Sequence, residues 1–360
     1  MNKMKDFIVR SKKIFIGLED SKRTWKLSCR SEKMEVHFVS MRADYEVLRN
    51  YLRKNYPECQ IKIMYEAGFK GFGLHDKLVE DGYECVVTPP NKVTQEKDSR
   101  VKTDKVDCRR LAITLENGDY KSCHVPDQEL LADRQISRHL VAIQKDITRT
   151  KNRIRKFLDF YWVGEGFPAG SWTKSDYNRL MELELEGPLG ISLNVFKELL
   201  QHLEAIKKQL EQELKAMTKK ERYAKLCKIY ASAPGIGWFT AIRLVLEWGD
   251  DLSRFMDAKH FASYTGLTGS EFSTGDTTRR GHITRQGSRH VMGWLTECAW
   301  TAKSRDPVLL EKYMSIVNRD NKKEENKKKA IIAVARKLAV RLWRCAVNGE
   351  FYKIGLVETC

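Results

Sequence analysis

Two short apolar runs that each end on a glutamate set the tightest limit on the fold. Ile14-Phe15-Ile16-Gly17-Leu18 closes on Glu19, and Ile61-Lys62-Ile63-Met64-Tyr65 closes on Glu66. Runs of this length and composition read as buried strands. A third acidic feature, Lys102-Thr103-Asp104-Lys105-Val106-Asp107, lies at the start of a predicted helix. Its i, i+3 spacing puts Asp104 and Asp107 on one helical face. Carboxylates at strand ends and on one helical face can converge on a point. Such a cluster does not stay ionised unaided, because two unit charges about 4 Å apart repel by roughly 4 kcal/mol at an effective dielectric near 20. A divalent cation removes that cost. Oxygen-only ligands favour magnesium (Mg2+), with manganese (Mn2+) as a substitute, over zinc.

Around these acids the chain predicts an α/β order. Strand-like runs occupy Ile14 to Glu19, Thr24 to Cys29 and Met34 to Ser40, and period-two alternation is clearest in Glu35-Val36-His37-Phe38-Val39. A helix follows with Tyr45, Leu48, Leu52 and Tyr56 at helical spacing. The strand ending at Glu66, a helix from about Phe72 to Glu80 and the strand Glu84 to Thr88 come next. Pro89-Pro90 stops that strand, and a helix through Asp107, Leu111 and Leu115 ends near Asn117-Gly118. Three meandering strands, then alternating helix and strand with acids at strand ends, is the ribonuclease H-like order.

From about Asp127 to Tyr230 the pattern turns helical. Ile136, Leu140, Ile143 and Ile147 step by four, three and four, and Phe196, Leu199, Leu203, Ile206 and Leu210 form a heptad seam. The glycine-rich stretch from Gly164 to Gly170 separates the two runs, which predicts an antiparallel hairpin or coiled coil. It reads either as a spacer packed on itself or as a dimerisation arm. The expected division is 1–126, 127–230 and 231–360: an α/β domain, an all-α segment and a mostly helical C-terminal domain.

The net charge of +17, from 65 Lys and Arg against 48 Asp and Glu, calls for a polyanionic partner, of which nucleic acid is the commonest. Nine cysteines include no Cys-x-x-Cys and no histidine pair at ligand spacing, so they read as reduced thiols in a cytoplasmic protein. No apolar stretch approaches the ~20 residues of a membrane span. The N-terminus lacks an apolar signal core.

The last third carries the remaining motifs. Ala233-Pro234-Gly235-Ile236-Gly237 resembles half of a helix-hairpin-helix, in which glycines such as Gly235 and Gly237 let backbone amides approach a phosphate. It also reads as a simple turn. Gly266 to Gly275 is a glycine- and hydroxyl-rich loop that runs into Arg279, Arg280, Arg285 and Arg289, whose guanidinium groups suit bidentate phosphate contacts. Spacing alone gives Ser273 no chemistry, since a serine nucleophile needs an activating neighbour. Ala330 to Arg344 predicts an amphipathic helix whose arginines face nucleic acid or solvent.

Taken in order, these blocks resemble the DEDD insertion-sequence transposases, whose members include bridge-RNA-guided recombinases. The resemblance rests on Gly17-Leu18-Glu19-Asp20-Ser21-Lys22, Tyr65-Glu66-Ala67-Gly68 and Lys102-Thr103-Asp104-x-x-Asp107. It continues through Pro234 to Gly237, Gly266-Leu267, Ser273-Thr274-Gly275, Gly281 to Gly287 and Lys329 to Leu338. It implies a RuvC-like domain, a coiled-coil insertion and a transposase domain with a nucleophilic serine, which motif position makes Ser273. Glu19, Glu66, Asp104 and Asp107 would hold magnesium. The first acid departs from the family's usual aspartate, and Asp20 follows it. Adjacent strand residues point to opposite faces, so register favours Glu19, and a bulge would substitute Asp20. The implied reaction is cleavage and exchange of donor and target double-stranded DNA through a covalent Ser273–DNA intermediate. Arg279, Arg280, Arg285 and Arg289 would stabilise its charge. The implied partners are a structured guide RNA and further copies of the chain, as a dimer or tetramer. Two rivals stand beside it: a RuvC-like metal-dependent nuclease or junction resolvase that uses water, and a non-catalytic nucleic-acid-binding protein with a decayed acid cluster.

Overall fold

The computed structural model describes residues 13–90, 103–163, 166–168, 170–274, 277–319 and 323–355. The chain divides into two compact units, residues 1–126 and 127–360. In the first unit, β1 (Lys13–Glu19), β2 (Thr24–Ser31) and β3 (Met34–Arg42) form an antiparallel meander. β4 (Gln60–Glu66) and β5 (Glu84–Thr88) add in parallel on the other side of β1, giving the order β3-β2-β1-β4-β5. This mixed sheet has the order expected of a ribonuclease H-like, RuvC-type domain.

Alternation along the strands assigns the two faces. Ile14, Ile16 and Leu18 of β1, with Ile63 and Tyr65 of β4, pack into one cluster. That cluster takes in Leu48 and Leu52 of α1 (Tyr45–Asn55) and Leu74 and Leu78 of α2 (Gly73–Glu80). The opposite face belongs to α3 (Asp104–Asn117), whose Leu111 and Leu115 pack on Met64, Phe15 and Val86. Thr103 accepts from the Val106 amide at the start of α3, and Gly118 ends it at φ +78°.

One glycine fixes how closely α3 lies on the sheet. A Cβ at Gly17 would stand 2.0 Å from the Cys108 carbonyl oxygen and 2.4 Å from the Ala112 amide nitrogen. Strand and helix backbones therefore touch where any other residue would force them apart. Three ion pairs hold the helix along the hairpin beside it: Lys26–Asp104 at 2.7 Å, Arg109–Glu35 at 2.7 Å and Arg30–Glu116 at 2.8 Å.

In the second unit, α4 (Gln128–Phe160) and α6 (Gly187–Met217) run side by side. Lys151 meets Glu204 at 3.5 Å and Phe157 meets Phe196 at 5.8 Å, so the pair is antiparallel. The short α5 (Lys174–Glu182) inserts Leu180 into their shared cluster. The heptad spacing on α6 is as expected and Phe196, Leu203 and Leu210 of the expected seam face inward, but the intervening position shifts by one residue, from Leu199 to Leu200. Leu193, Phe196, Leu200, Leu203, Leu210, Leu214 and Met217 face inward, while Leu199 is exposed. Adjacent leucines at 199 and 200 make both registers plausible by pattern; packing against α4 selects the second.

Residues 127–230 and 231–360 share one core. Leu130, Leu140, Leu214 and Met217 join the cluster formed by α7 (Glu221–Ala231), α8 (Trp238–Trp248), α9 (Ala258–Tyr264), α10 (Arg289–Arg305), α11 (Pro307–Val317) and α12 (Lys323–Asn348). The stretch from Gly266 to Gly275, expected to be a loop, instead enters a hairpin of β6 (Gly269–Thr274) and β7 (Thr277–Ile283). Arg341 on α12 faces neither nucleic acid nor solvent. It is buried, pairs with Asp306 at 2.6 Å and stacks on Tyr352. The eight described cysteines are all free. No described helix is long and apolar enough to cross a membrane.

Gly17→Ala is expected to destabilise the first unit by about 3 kcal/mol, toward the upper end for overpacking. The readout is the urea midpoint of that unit's transition. A change within about 0.5 kcal/mol would mean that α3 yields without cost.

Candidate functional site

β1 and β4 are parallel neighbours with Leu18 opposite Tyr65, so Glu19 and Glu66 follow at the same end of the sheet. Met64 packs against α3, and Glu66 lies two residues on, which by alternation returns it to the α3 side. Glu19 is two residues beyond Gly17 and shares that side. The first turn of α3 supplies Asp104 and Asp107. All four predicted acids thus stand at one end of the sheet, on one face. Asp20 lies within electrostatic reach of Tyr65, on the other face, and of Lys70, which Glu19 also reaches.

Electrostatics distinguish the members of the group. Burial, and then the nearby Asp104 carboxylate, raise the pKa of Glu19. The hydrogen bond from Lys26 holds Asp104 below the usual carboxylate range. Lys26 is also the cross-strand partner of Glu19. Asp107 accepts from Arg110 at 3.3 Å. Among the described residues no three His, Cys, Asp or Glu side chains gather closely enough to hold a metal ion. The fold therefore brings the four acids to one face without drawing their side chains together, with Lys26 as counter-charge to Asp104 and Arg110 to Asp107. In kind the donors fit a hard divalent cation, being carboxylates without sulfur or imidazole. Sequence reasoning missed Lys26. Its signal was a lysine between Trp25 and Leu27, a polar position in an otherwise apolar run.

In the second unit, Ser273 is the penultimate residue of β6, paired with Thr278 of β7. Gly275 of the predicted motif lies outside the described residues, as do the side chains of residues 272–278 and Arg280. The root of the hairpin is defined by backbone contact. A Cβ on Gly287 would stand 2.7 Å from the Tyr264 carbonyl oxygen and 2.8 Å from the Gly266 amide nitrogen. Gly266, at φ +72°, in turn faces the Gly287 amide nitrogen. The motifs at Gly266-Leu267 and Gly281 to Gly287 are thus two halves of one clamp, closed by Thr284 N–H donating to the Thr268 carbonyl at 2.8 Å.

The other predicted nucleic-acid contacts divide. Arg279 is exposed on β7, Arg285 is exposed with φ +53°, and Arg289 is exposed in the first turn of α10. Gly235, at φ +82°, packs against α10, since a Cβ would lie 2.7 Å from the Cys298 carbonyl oxygen. Gly237 has open space around it at the N-cap of α8.

Comparison with known proteins follows these two regions. The DEDD transposase model of the IS110 group matches residues 20–163, and the model for the transposase IS116/IS110/IS902 family matches residues 227–314. The chain belongs to this transposase family. The first match takes in Glu66, Asp104 and Asp107 and begins one residue past Glu19; the second takes in Ser273. Similar proteins include two from Sinorhizobium fredii that are provisionally named as transposases. One, y4qE, is 29% identical over 66% of this chain and 57% of its own length; the other, y4rJ, is 27% identical over 96% and 95%. The transposase for insertion sequence element IS1533 of Leptospira borgpetersenii is 25% identical over 66% of this chain and 70% of its own.

The raised Glu19 pKa gives a pH signature. The native state holds this proton to higher pH than the unfolded chain, so stability falls as pH rises from about 4.5 through the folded value. In protein without divalent cation, Glu19→Gln is expected to lose less stability than the parent between pH 4.5 and 7. Thermal melts across that range check it, and parallel curves would remove the buried charge from the account.

Proposed function

We propose that the chain is a DNA transposase that cuts and rejoins donor and target double-stranded DNA with a divalent metal and a serine nucleophile. The observation that carries the reading is the placement of Glu19, Glu66, Asp104 and Asp107 on one face at one end of a ribonuclease H-like sheet. These four would hold the ion, with magnesium the preferred species and manganese a substitute. When bound, the ion neutralises phosphate charge and orients the scissile group. Lys26, which donates to Asp104, would then be available to the phosphate oxygens.

Ser273 is the proposed nucleophile. Its Oγ forms a bond to phosphorus, the phosphorus–oxygen bond to the leaving strand breaks, and the serine proton ends on the departing hydroxyl. The phosphodiester energy is retained in the serine–DNA bond. A strand hydroxyl then attacks the same phosphorus, and Oγ leaves with a proton. The turn-proximal position of Ser273, on a hairpin pinned at its root by Gly266 and Gly287, suits a group that must reach a duplex. Arg279, Arg280, Arg285 and Arg289 would stabilise the crowded charge.

Choice of sequence would rest on a guide RNA pairing with the DNA, with the protein reading backbone and shape. The reading also includes assembly into a dimer or tetramer. Ile191, Val195 and Leu199 are exposed at four-residue steps along α6, and Phe160 and Trp162 are exposed at the far end of α4. This apolar stripe fits a second copy of the chain.

Ser273→Ala is expected to abolish both the covalent protein–DNA adduct and strand exchange, by at least about a thousandfold, on denaturing gels. Cleavage that persists without an adduct would replace the serine with water and return the chain to the metal-dependent nucleases. In the same assay, Glu19→Gln is expected to abolish cleavage, while Asp20→Asn stays within about tenfold of the parent. The reverse ranking would assign the first acid to Asp20.

A further inference from the structure

A cavity of about 550 Å3 opens in the second unit beside the root of the β6–β7 hairpin, and its charges do not balance. Arg134 and Arg138, one turn apart on α4, form one wall. Glu247 of α8 and Arg289 at the amino end of α10 form others. Three guanidinium groups thus face one carboxylate. That carboxylate is 4% exposed and already accepts two bonds from Arg138, at 2.9 and 3.2 Å. Arg134 donates its Nε–H to the Leu246 carbonyl at 2.7 Å, and its remaining N–H groups have no partner among the described residues. Arg289 makes no ion pair among the described residues and stands at the rim.

A fourth cation lies behind the wall. Arg243 is 6% exposed, stacks 3.7 Å over the Trp294 ring, and has an Nε–H without a hydrogen-bond partner. Burial pushes Arg134 down and brings Arg243 to about 10, so positive charge is costly here. Buried charge is ordinarily paired or fully hydrogen-bonded. Glu247 is the only carboxylate among the residues lining the cavity. The positive end of the 17-residue α10, capped by Ser288, opens on the same space. Planar N–H forks and a helix amino end together match a tetrahedral oxyanion.

We propose that this cavity is a phosphate seat, taking one backbone phosphate of a bound nucleic-acid strand between Arg134 and Arg289. It would fix that strand at the root of the hairpin that carries Ser273. DNA and RNA offer the same chemistry, and the choice between them is left to the measurement. The proposal rests on the transposase reading for its ligand class but not for its chemistry, so it is tested by binding in full-length Ser273→Ala protein.

Fluorescence anisotropy with a labelled DNA duplex and a labelled single-stranded RNA, across a range of salt, is the experiment. Arg289→Gln lies at the exposed rim and leaves the core intact. It is expected to weaken binding of at least one probe by about tenfold and to lower the salt slope for that probe by about one. Arg134→Gln should do the same, with a thermal melt to establish that it is folded. An effect on one probe alone names the occupant of the seat and supports the proposal, as does an effect on both. Unchanged affinity and slope for both probes in Arg289→Gln overturns it, and so does weakening without a change of slope. If the parent binds neither probe, the nucleic-acid reading itself fails, which is a different result.

Discussion

Everything at the acidic end of the first unit depends on the contact between the backbones of β1 and α3 at Gly17. A side chain there would push the helix outward, and Asp104 and Asp107, one turn and less from Cys108, would move with it. The three ion pairs along the hairpin then fix the rotation and slide of α3, which a single close approach leaves free. Burial of Leu111 and Leu115 against Met64 supplies the attraction that holds the layers together. The placement of the acids is thus a consequence of packing several residues away. The carboxylates do not hold that arrangement themselves, since Asp104 repels Glu19.

The first unit was legible because its signals are local. Alternation along β1 and β4 shows both the strands and their buried face, and a strand terminus is where an acid can sit beside a core without being inside it. Glu19 closes β1, whereas Asp20 lies one residue beyond it. The second unit was legible only in part. The 269–283 hairpin has few apolar residues to alternate, so its glycines, threonines and arginines looked like a loop; it is held by its root and its ladder rather than by burial. The α6 seam was right at Phe196, Leu203 and Leu210 and one residue off at Leu199, because Leu199 and Leu200 are equivalent until a partner helix distinguishes them. Arg341 was assigned outward by its charge, whereas a buried Asp306, distant in sequence, receives it. The side chain of Ser273 lies outside the described residues, so its role stands on motif position.

The two units gather groups of opposite charge. At the sheet end, four carboxylates share one face with Lys26 paired to Asp104 and Arg110 to Asp107, a donor set that suits a hard cation. Beside the hairpin root, arginines outnumber the carboxylate that faces them, and the imbalance invites an anion. Metal and phosphate are the two components that a phosphoryl-transfer reaction must bring together, and the chain carries a complementary group for each.

The long helix α4 gives the second unit a mechanical property. Its first turns are built into the central core, with Arg134 and Arg138 at the cavity, and its last turns pack on α5, α6 and Trp172. At about 1.5 Å per residue, its 33 residues make a continuous rod of about 50 Å. No described break interrupts it. Because α6 packs beside it and also enters the central core, the two helices form one braced strut between the exposed aromatic end and the cavity.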